Sequence, residues 1–294
     1  MASPVQREST GLHMADWMLL RAELDWVYDG KIDPQFRRFS EHMPGQSIFL
    51  LHRGTLLIRT RMGTVQARAG EWILPTQQER LQEFSDDAEV LSIHLQLHWP
   101  GGEPLFKCDV ATKLESAQAP QLKLKSQRLL RFIEKEFPGA RSLLPRLTGS
   151  LSQYARLRST FNEWFCAFIE TLLKMGLVPT RLEAMDPRVL RAVQILDHFP
   201  FGAPFRDSEF ARQMDLSPTH LDRLFVKQFE MTPRQYLEKR KLEQAMMRVR
   251  ATPSSGLLKS VAYDLGFNSL SHFSNWFRQK KGISATEYQQ RYLE

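Results

Sequence analysis

Cysteine is scarce in this chain: 294 residues carry 2, Cys108 and Cys166, far apart and without a metal-type spacing. That pattern favours free thiols in a reducing compartment over a disulfide or a zinc site. Long apolar runs are missing too. None approaches the roughly 20 residues that cross a bilayer, and the N-terminus lacks a basic segment followed by an apolar one and a cleavage site. The expectation is a cytoplasmic protein with no membrane partner. What remains is an ordinary soluble composition, 42% hydrophobic and 25% charged, in a chain long enough for two cores.

Charge is unevenly divided. Residues 1–120 carry 12 basic and 16 acidic side chains, residues 121–185 carry 11 and 5, and residues 186–294 carry 17 and 12. The segments sum as −4, +6 and +5, so the positive excess behind the net +7 lies in the last two. Such a face suits DNA or a partner, and equally a solvated helical surface.

The first 40 residues hold Trp17, Trp26, Phe36 and Phe39 among polar residues, too few for a domain, and are expected to join the next one. From Ser47 the pattern turns β-like: Ile48 to Leu51, Leu56 to Thr60, Val65 to Arg68, Glu71 to Leu74 and Val90 to Leu97, punctuated by Gly54, Gly63, Gly70 and Pro75. Short alternating runs between turn residues predict an antiparallel barrel or sandwich. After Pro120 the spacing becomes helical. Leu122, Leu129, Leu130, Phe132, Ile133 and Phe137 form one stripe, and a longer apolar run extends from Leu151 to Leu173. One face of the longer helix is expected to pack on the barrel, leaving another for a second subunit. Val178 to Pro187 has the breakers and polarity of a linker. The boundaries are thus 1–120 barrel, 121–180 helical segment, 181–187 linker and 188–294 C-terminal helical domain.

In that last domain, helix, turn and helix occur twice. Phe210, Ala211 and Met214 share a face, Asp215-Leu216 turns, and Ser217-Pro218 supplies an N-cap and first-turn proline for a helix burying Leu221, Leu224, Phe225 and Phe229. Thr219, His220, Asp222, Arg223 and Lys227 are left outward. The second copy stripes Leu258, Val261, Ala262 and Leu265, closes at Gly266, and caps with Ser269 a helix burying Phe273, Trp276 and Phe277. Leu270, Ser271, His272, Ser274, Asn275 and Arg278 begin or face outward on it. Between the copies, Thr232-Pro233 opens a helix with Tyr236, Leu237, Ala245, Met246 and Val249 inward. A helix, a tight turn and an exposed polar second helix describe a helix-turn-helix reader.

These residues resemble the AraC/XylS transcription regulators. The pattern is readable in Ser217 to Phe225, Arg240 to Ala245, Val261 to Phe267 and Phe273 to Arg278, about the last third of the chain. Glu230 stands where the family usually has a helix-ending glycine, Ala285 stands where a proline usually follows serine, and Thr252 to Gly256 is a slightly longer connection. Carried over by position, the resemblance puts base-facing places on Thr219, Asp222 and Arg223 in the first reader and on Leu270, Ser271, Ser274 and Asn275 in the second. Arginine pairs bidentately with guanine and asparagine with adenine, so Arg223 and Asn275 are the chief readers. Asp222 either accepts from a cytosine or holds Arg223 in place, and the second role is expected. Lys227, Arg278, Lys280 and Lys281 suit phosphates.

A second resemblance rests on Gly54 and the run Ala69 to Pro75, which is similar to the cupin-like sensor barrel of AraC-type regulators. The family's glycine and histidine positions are here Gln77 and Arg80. His98 is expected to be a hydrogen-bonded structural residue. His94, with Trp72 and Arg80 as neighbours, is the expected small-metabolite site, for a sugar or related polar compound. The fold class is therefore a mostly β cupin-like barrel followed by helices, then an all-α domain with two helix-turn-helix units. The expected function is sequence-specific DNA-binding transcription regulation, with double-stranded DNA, a small-molecule effector, RNA polymerase and a second copy as partners, no enzymatic activity and no cofactor. A cupin-type metal enzyme and a ligand-independent DNA-binding protein are the alternatives.

Overall fold

The computed structural model describes residues 12–40, 45–138, 140, 144, 147–180, 185–250 and 258–290. The chain divides into two units, residues 1–99 with 104–181, and residues 182–294 with 100–103.

The first unit is a two-sheet antiparallel sandwich with helices. After a short helix α1 (Met14–Trp17), the strands are β1 (Arg21–Lys31), β2 (Arg38–Phe39), β3 (Gln46–Arg53), β4 (Thr55–Thr60), β5 (Gly63–Arg68), β6 (Glu71–Leu74), β7 (Leu81–Phe84), β8 (Glu89–His98) and β9 (Thr112–Glu115). One sheet has the order β1-β8-β3-β6-β9 and the other β2-β7-β4-β5. Phe49, Leu51 and Val90 from the first sheet meet Leu56, Ile58, Ala67 and Phe84 from the second in one core. The opposite face of the larger sheet carries Ile48, Leu50, Trp72, Leu91 and Ile93, each at most 2% exposed. A sheet buried on both faces reads as a continuous apolar run rather than an alternation, as in Ile48 to Leu51.

The early residues do join this domain. Strand β1 pairs with β8 from Arg21↔His98 to Lys31↔Glu89. Its alternation was hidden by a bulge between Leu24 and Trp26, since an extra residue shifts every later side chain to the other face. Helices α2 (Pro120–Glu136) and α3 (Leu151–Lys174) follow. Ser150 caps α3 by accepting from the Gln153 amide. Trp164 Nε1 donates to Ser126 Oγ at 2.8 Å, joining the pair, and Arg158 donates to the Ala22 carbonyl of β1. Leu151 and Tyr154, at the start of α3, are exposed.

The second unit is helical: α4 (Pro187–His198), α5 (Asp207–Arg212), α6 (Pro218–Phe229), α7 (Pro233–Arg250), α8 (Leu258–Asp264), α9 (Leu270–Lys281) and α10 (Ala285–Gln290). Val189, Val193 and Leu196 of α4 pack with Phe210, Met214, Leu221, Phe225, Tyr236 and Leu237. The first reader thus closes its core against a helix upstream of the repeat. Phe273, Phe277, Val261, Leu265, Ala285 and Tyr288 are all buried. Trp276 and Met246 are half-buried rather than fully inward. The connection Thr252 to Gly256 lies outside the described residues.

Candidate nucleic-acid interface

Both turns are built alike. Asp215 and Gly266 have φ of +56° and +77°, and the following amides, Leu216 and Phe267, each reach five residues back, to the carbonyls of Ala211 and Ala262 at 3.1 and 2.9 Å. This pattern closes a helix and reverses the chain. A serine starts the second helix, two residues after Asp215 in the first copy and three after Gly266 in the second. Ser217 Oγ accepts from the His220 amide at 3.3 Å, and Ser269 Oγ from the His272 amide at 3.1 Å. The caps satisfy amides that a helix start leaves unpaired.

Counted from their caps, Thr219 and Ser271 are equivalent, as are Arg223 and Asn275. Thr219, Arg223 and Lys227 are exposed and spaced by four along α6, one line on its surface. Ser271, Asn275 and Arg278 are exposed on α9. Among the described residues none of these six side chains makes a hydrogen bond or ion pair within the protein, so their donors and acceptors are open to an outside partner. Leu270 is 36% exposed, Ser274 is half-buried, and His272 is exposed with its ring edge-on to Phe267.

Other assignments change. Asp222 does not hold Arg223. It is half-buried, and its carboxyl is pushed up by burial first and by Asp207 second, with Arg234 opposing. Adjacent residues on a helix do not face each other, and Asp222 instead faces the Arg234–Asp207 pair. His220 is half-buried and sits electrostatically against Asp186, the N-cap of α4. Of the cations expected at phosphates, Lys280 is paired with Glu238 at 3.5 Å and Lys281 lies over the Tyr288 ring, while Lys227 and Arg278 are exposed.

In the β unit, Trp72, Arg80 and His94 do not converge. Trp72 lies opposite Leu50 and His94 opposite Ser47. Leu50 and Ser47 are an odd number of residues apart on β3, so Trp72 and His94 occupy opposite faces of one sheet. His94 shares its face with Val90 of the inter-sheet core. Its Nδ1 is 2.8 Å from Ser47 Oγ, its Nε2 is 3.5 Å from Asp25 Oδ2, and its ring stacks on Trp26 at 4.1 Å. Arg80 is 5% exposed. It donates to the Thr76 carbonyl at 2.6 Å and to Gln82 Oε1 at 3.4 Å, and lies over Phe39. Gln82 shares a face of β7 with Phe84, so Arg80 reaches the inter-sheet side that His94 also faces. Asp25 is 3% exposed, and burial pushes its carboxyl up to about 7, against the Gln96 hydrogen bond and the Arg21 charge, with Glu23 adding to the rise. Asp25, Trp26 and Ser47 escaped sequence reading because the β1 bulge hides them and because a serine beside a strand carries no signal of its own. His98 Nδ1 donates to the Trp99 carbonyl at 2.9 Å. Among the described residues no three His, Cys, Asp or Glu side chains group as metal ligands, and no helix is long and apolar enough to cross a membrane. Cys108 is buried and Cys166 exposed, both free.

Residues 210–291 match a family profile described as a helix-turn-helix domain. A curated relative, the HTH-type transcriptional activator RhaR of Mannheimia succiniciproducens, is 31% identical over 87 residues, 30% of this chain and 31% of the relative. The chain therefore spans under a third of that relative's length. A transcriptional regulator with an AraC-type DNA-binding domain from Chromobacterium violaceum aligns at 23% identity, over 37% of this chain and 94% of the other, with a TM-score of 0.32. ToxT from Vibrio cholerae, with an unsaturated fatty acid bound, aligns over 92% of this chain and 94% of the other at 12% identity and a TM-score of 0.44.

Proposed function

We infer, from a chain whose last third is a helix-turn-helix domain of the AraC type, that this protein regulates transcription by binding specific DNA sequences. The observation that supports the reading best is the pair of serine-capped helices, α6 and α9, with exposed side chains at equivalent places that make no hydrogen bond or ion pair among the described residues. A recognition helix reads base edges near its N-terminal end, and surrounding cations hold phosphates. Arg223 and Asn275 are the proposed base readers, with Thr219 and Ser271 beside them and Lys227 and Arg278 on phosphates. With two readers, one chain covers two major-groove faces about one helical turn, roughly 34 Å, apart.

The sandwich is the proposed effector unit. A small polar metabolite between the sheets, against His94 and Arg80, would bias DNA binding or polymerase contact by preferring one of two arrangements of the protein. Trp72 has no part in that site. Self-association through the exposed start of α3 is the proposed route to a dimer reading a repeated site. The test is selection from a random DNA pool by the full chain, with and without a metabolite panel. A recurring motif of two half-sites supports the reading, and no motif under either condition overturns it.

A further inference from the structure

The two readers are joined by more than the continuity of α7. The loop after α4 and the turn of the second reader meet backbone to backbone: a Cβ on Gly266 would lie 2.2 Å from the Gly202 Cα. With φ at +77°, Gly266 is needed both for its conformation and for this approach. Around the contact, α7 supplies three polar anchors within one turn, Glu238, Arg240 and Lys241. Lys241 Nζ lies 4.0 Å from the Phe267 ring centroid, 5.8 Å from that of Trp276 and 3.5 Å from the Phe201 carbonyl oxygen. Arg240 covers the Phe201 ring and donates to the Leu196 and Asp197 carbonyls at the end of α4. Glu238, one turn before Lys241, accepts from Trp276 Nε1 at 3.1 Å and pairs with Lys280 at 3.5 Å.

Apolar burial by Phe273 and Phe277 holds α9 in the domain but is non-directional. Hydrogen bonds and a cation over a ring are directional. Trp276 lies between Asn275 and Arg278, so bonds at its indole and at Lys280 govern how α9 is rotated about its own axis. A rotation of roughly 20° at a side-chain radius of about 5 to 6 Å moves a side-chain tip by about 2 Å, more than a hydrogen bond to a base tolerates.

We propose that Glu238 and Lys241 are positioning residues which set the angle and distance between the two readers, and so the half-site separation that one chain accepts. Neither touches a base. The inference rests on the DNA-reading function above and deepens it, making the specificity of the pair of readers depend on residues of the helix between them.

The experiment uses the full chain and half-sites obtained by selection from a random pool. Affinity is measured on DNA in which the two half-sites are moved closer or apart by one and two base pairs, and on DNA carrying the second half-site alone. Wild type is expected to lose affinity at least tenfold for a one-base-pair shift. Lys241→Met and Glu238→Leu, which removes the acceptor of the Trp276 indole, are expected to reduce that discrimination to threefold or less while binding the single half-site within twofold of wild type. Lys241→Arg, which restores a cation over the rings, and Glu238→Gln, which keeps an oxygen for the indole, should recover most of the wild-type profile. If Lys241→Met fails to fold, Glu238→Leu carries the test. A wild-type spacing profile in Glu238→Leu and in Lys241→Met where it folds overturns this inference and leaves DNA reading intact. Failure of the wild-type chain to select any motif overturns both.

Discussion

Arg223 and Asn275 occupy the same place on α6 and α9, six residues after the capping serine, and each is exposed without a hydrogen-bond or ion-pair partner among the described residues. A bidentate contact discriminates by about 1 to 3 kcal/mol against the wrong base. We expect Arg223→Ala to relax preference at one position of the first half-site by that amount, and Asn275→Ala to do so in the second, each read by repeating the DNA selection. Equal weakening on every sequence would instead mark them as phosphate contacts. Lys227→Ala should behave in that second way, lowering affinity evenly and reducing the slope of log affinity against log salt by about 0.9. Asp25 belongs to the same scale. Its folded carboxyl titrates near 7 against an ordinary 3.8, chiefly through burial. Because the folded state holds the proton more tightly, its stabilising contribution is complete below the ordinary value and is lost as pH rises toward 7. The groups facing it are His94, Gln96, Arg21 and Glu23. Asp25→Asn cannot ionise, so its unfolding midpoint should gain on wild type between pH 5 and pH 8; a constant difference across that range would refute the assignment.

At the scale of elements, α6 ends on Glu230 in the left-handed conformation, φ +56°. A residue with a Cβ is disfavoured there by roughly 1 to 2 kcal/mol, while glycine gives part of that back through its greater freedom when unfolded. We expect Glu230→Gly to stabilise the helical unit by about 0.5 to 1 kcal/mol in denaturant unfolding, without changing the selected DNA motif. The caps run the other way. Ser217→Ala or Ser269→Ala leaves an amide of the reader's first turn unpaired and should destabilise by about 1 kcal/mol. The helices of the two readers were readable because they carry their own starts, stripes and stops: serine caps at Ser217 and Ser269, apolar spacing, and left-handed residues at Asp215, Glu230, Gly266 and Gly282; α4, which ends on the extended Phe199, and α10 were not. Strands were less so. β7 and β9 have four residues each, too short for alternation to stand out, and β1 is interrupted by its bulge.

For the molecule as a whole, the proposal joins an effector unit to a DNA-reading unit. A metabolite that binds the folded sandwich at 100 times its dissociation constant raises stability by about 2.7 kcal/mol. A thermal-shift panel should therefore find a polar compound whose effect disappears in His94→Ala and persists in Trp72→Phe, because those two residues lie on opposite faces of the sheet. A shift that depends on Trp72 and ignores His94 would place the ligand on the wrong side of the sheet for this proposal. Net charge does not divide along the two units: residues 1–120 carry a net −4, but residues 121–185, most of them helices of the first unit, carry a net +6 beside the +5 of residues 186–294, so exposed cations on the readers themselves, Arg223, Lys227 and Arg278, are what favour approach to phosphates.

By itself the sequence determined the two helix-turn-helix units, their serine caps, the exposure of Thr219, Arg223, Lys227, Ser271, Asn275 and Arg278, and the change from β to helical pattern, because each is a local property encoded within a few residues of where it acts. Tertiary structure alone decided what depends on pairing between distant segments. It put Trp72 and His94 on opposite faces through the registers of β3 with β6 and β8. It brought Asp25 to His94 across a bulge, turned Asp222 toward Arg234 rather than Arg223, and set Lys241 among aromatic rings where spacing along α7 showed only one more charged residue. Periodicity says which side of an element is buried, and only the partner element says against what.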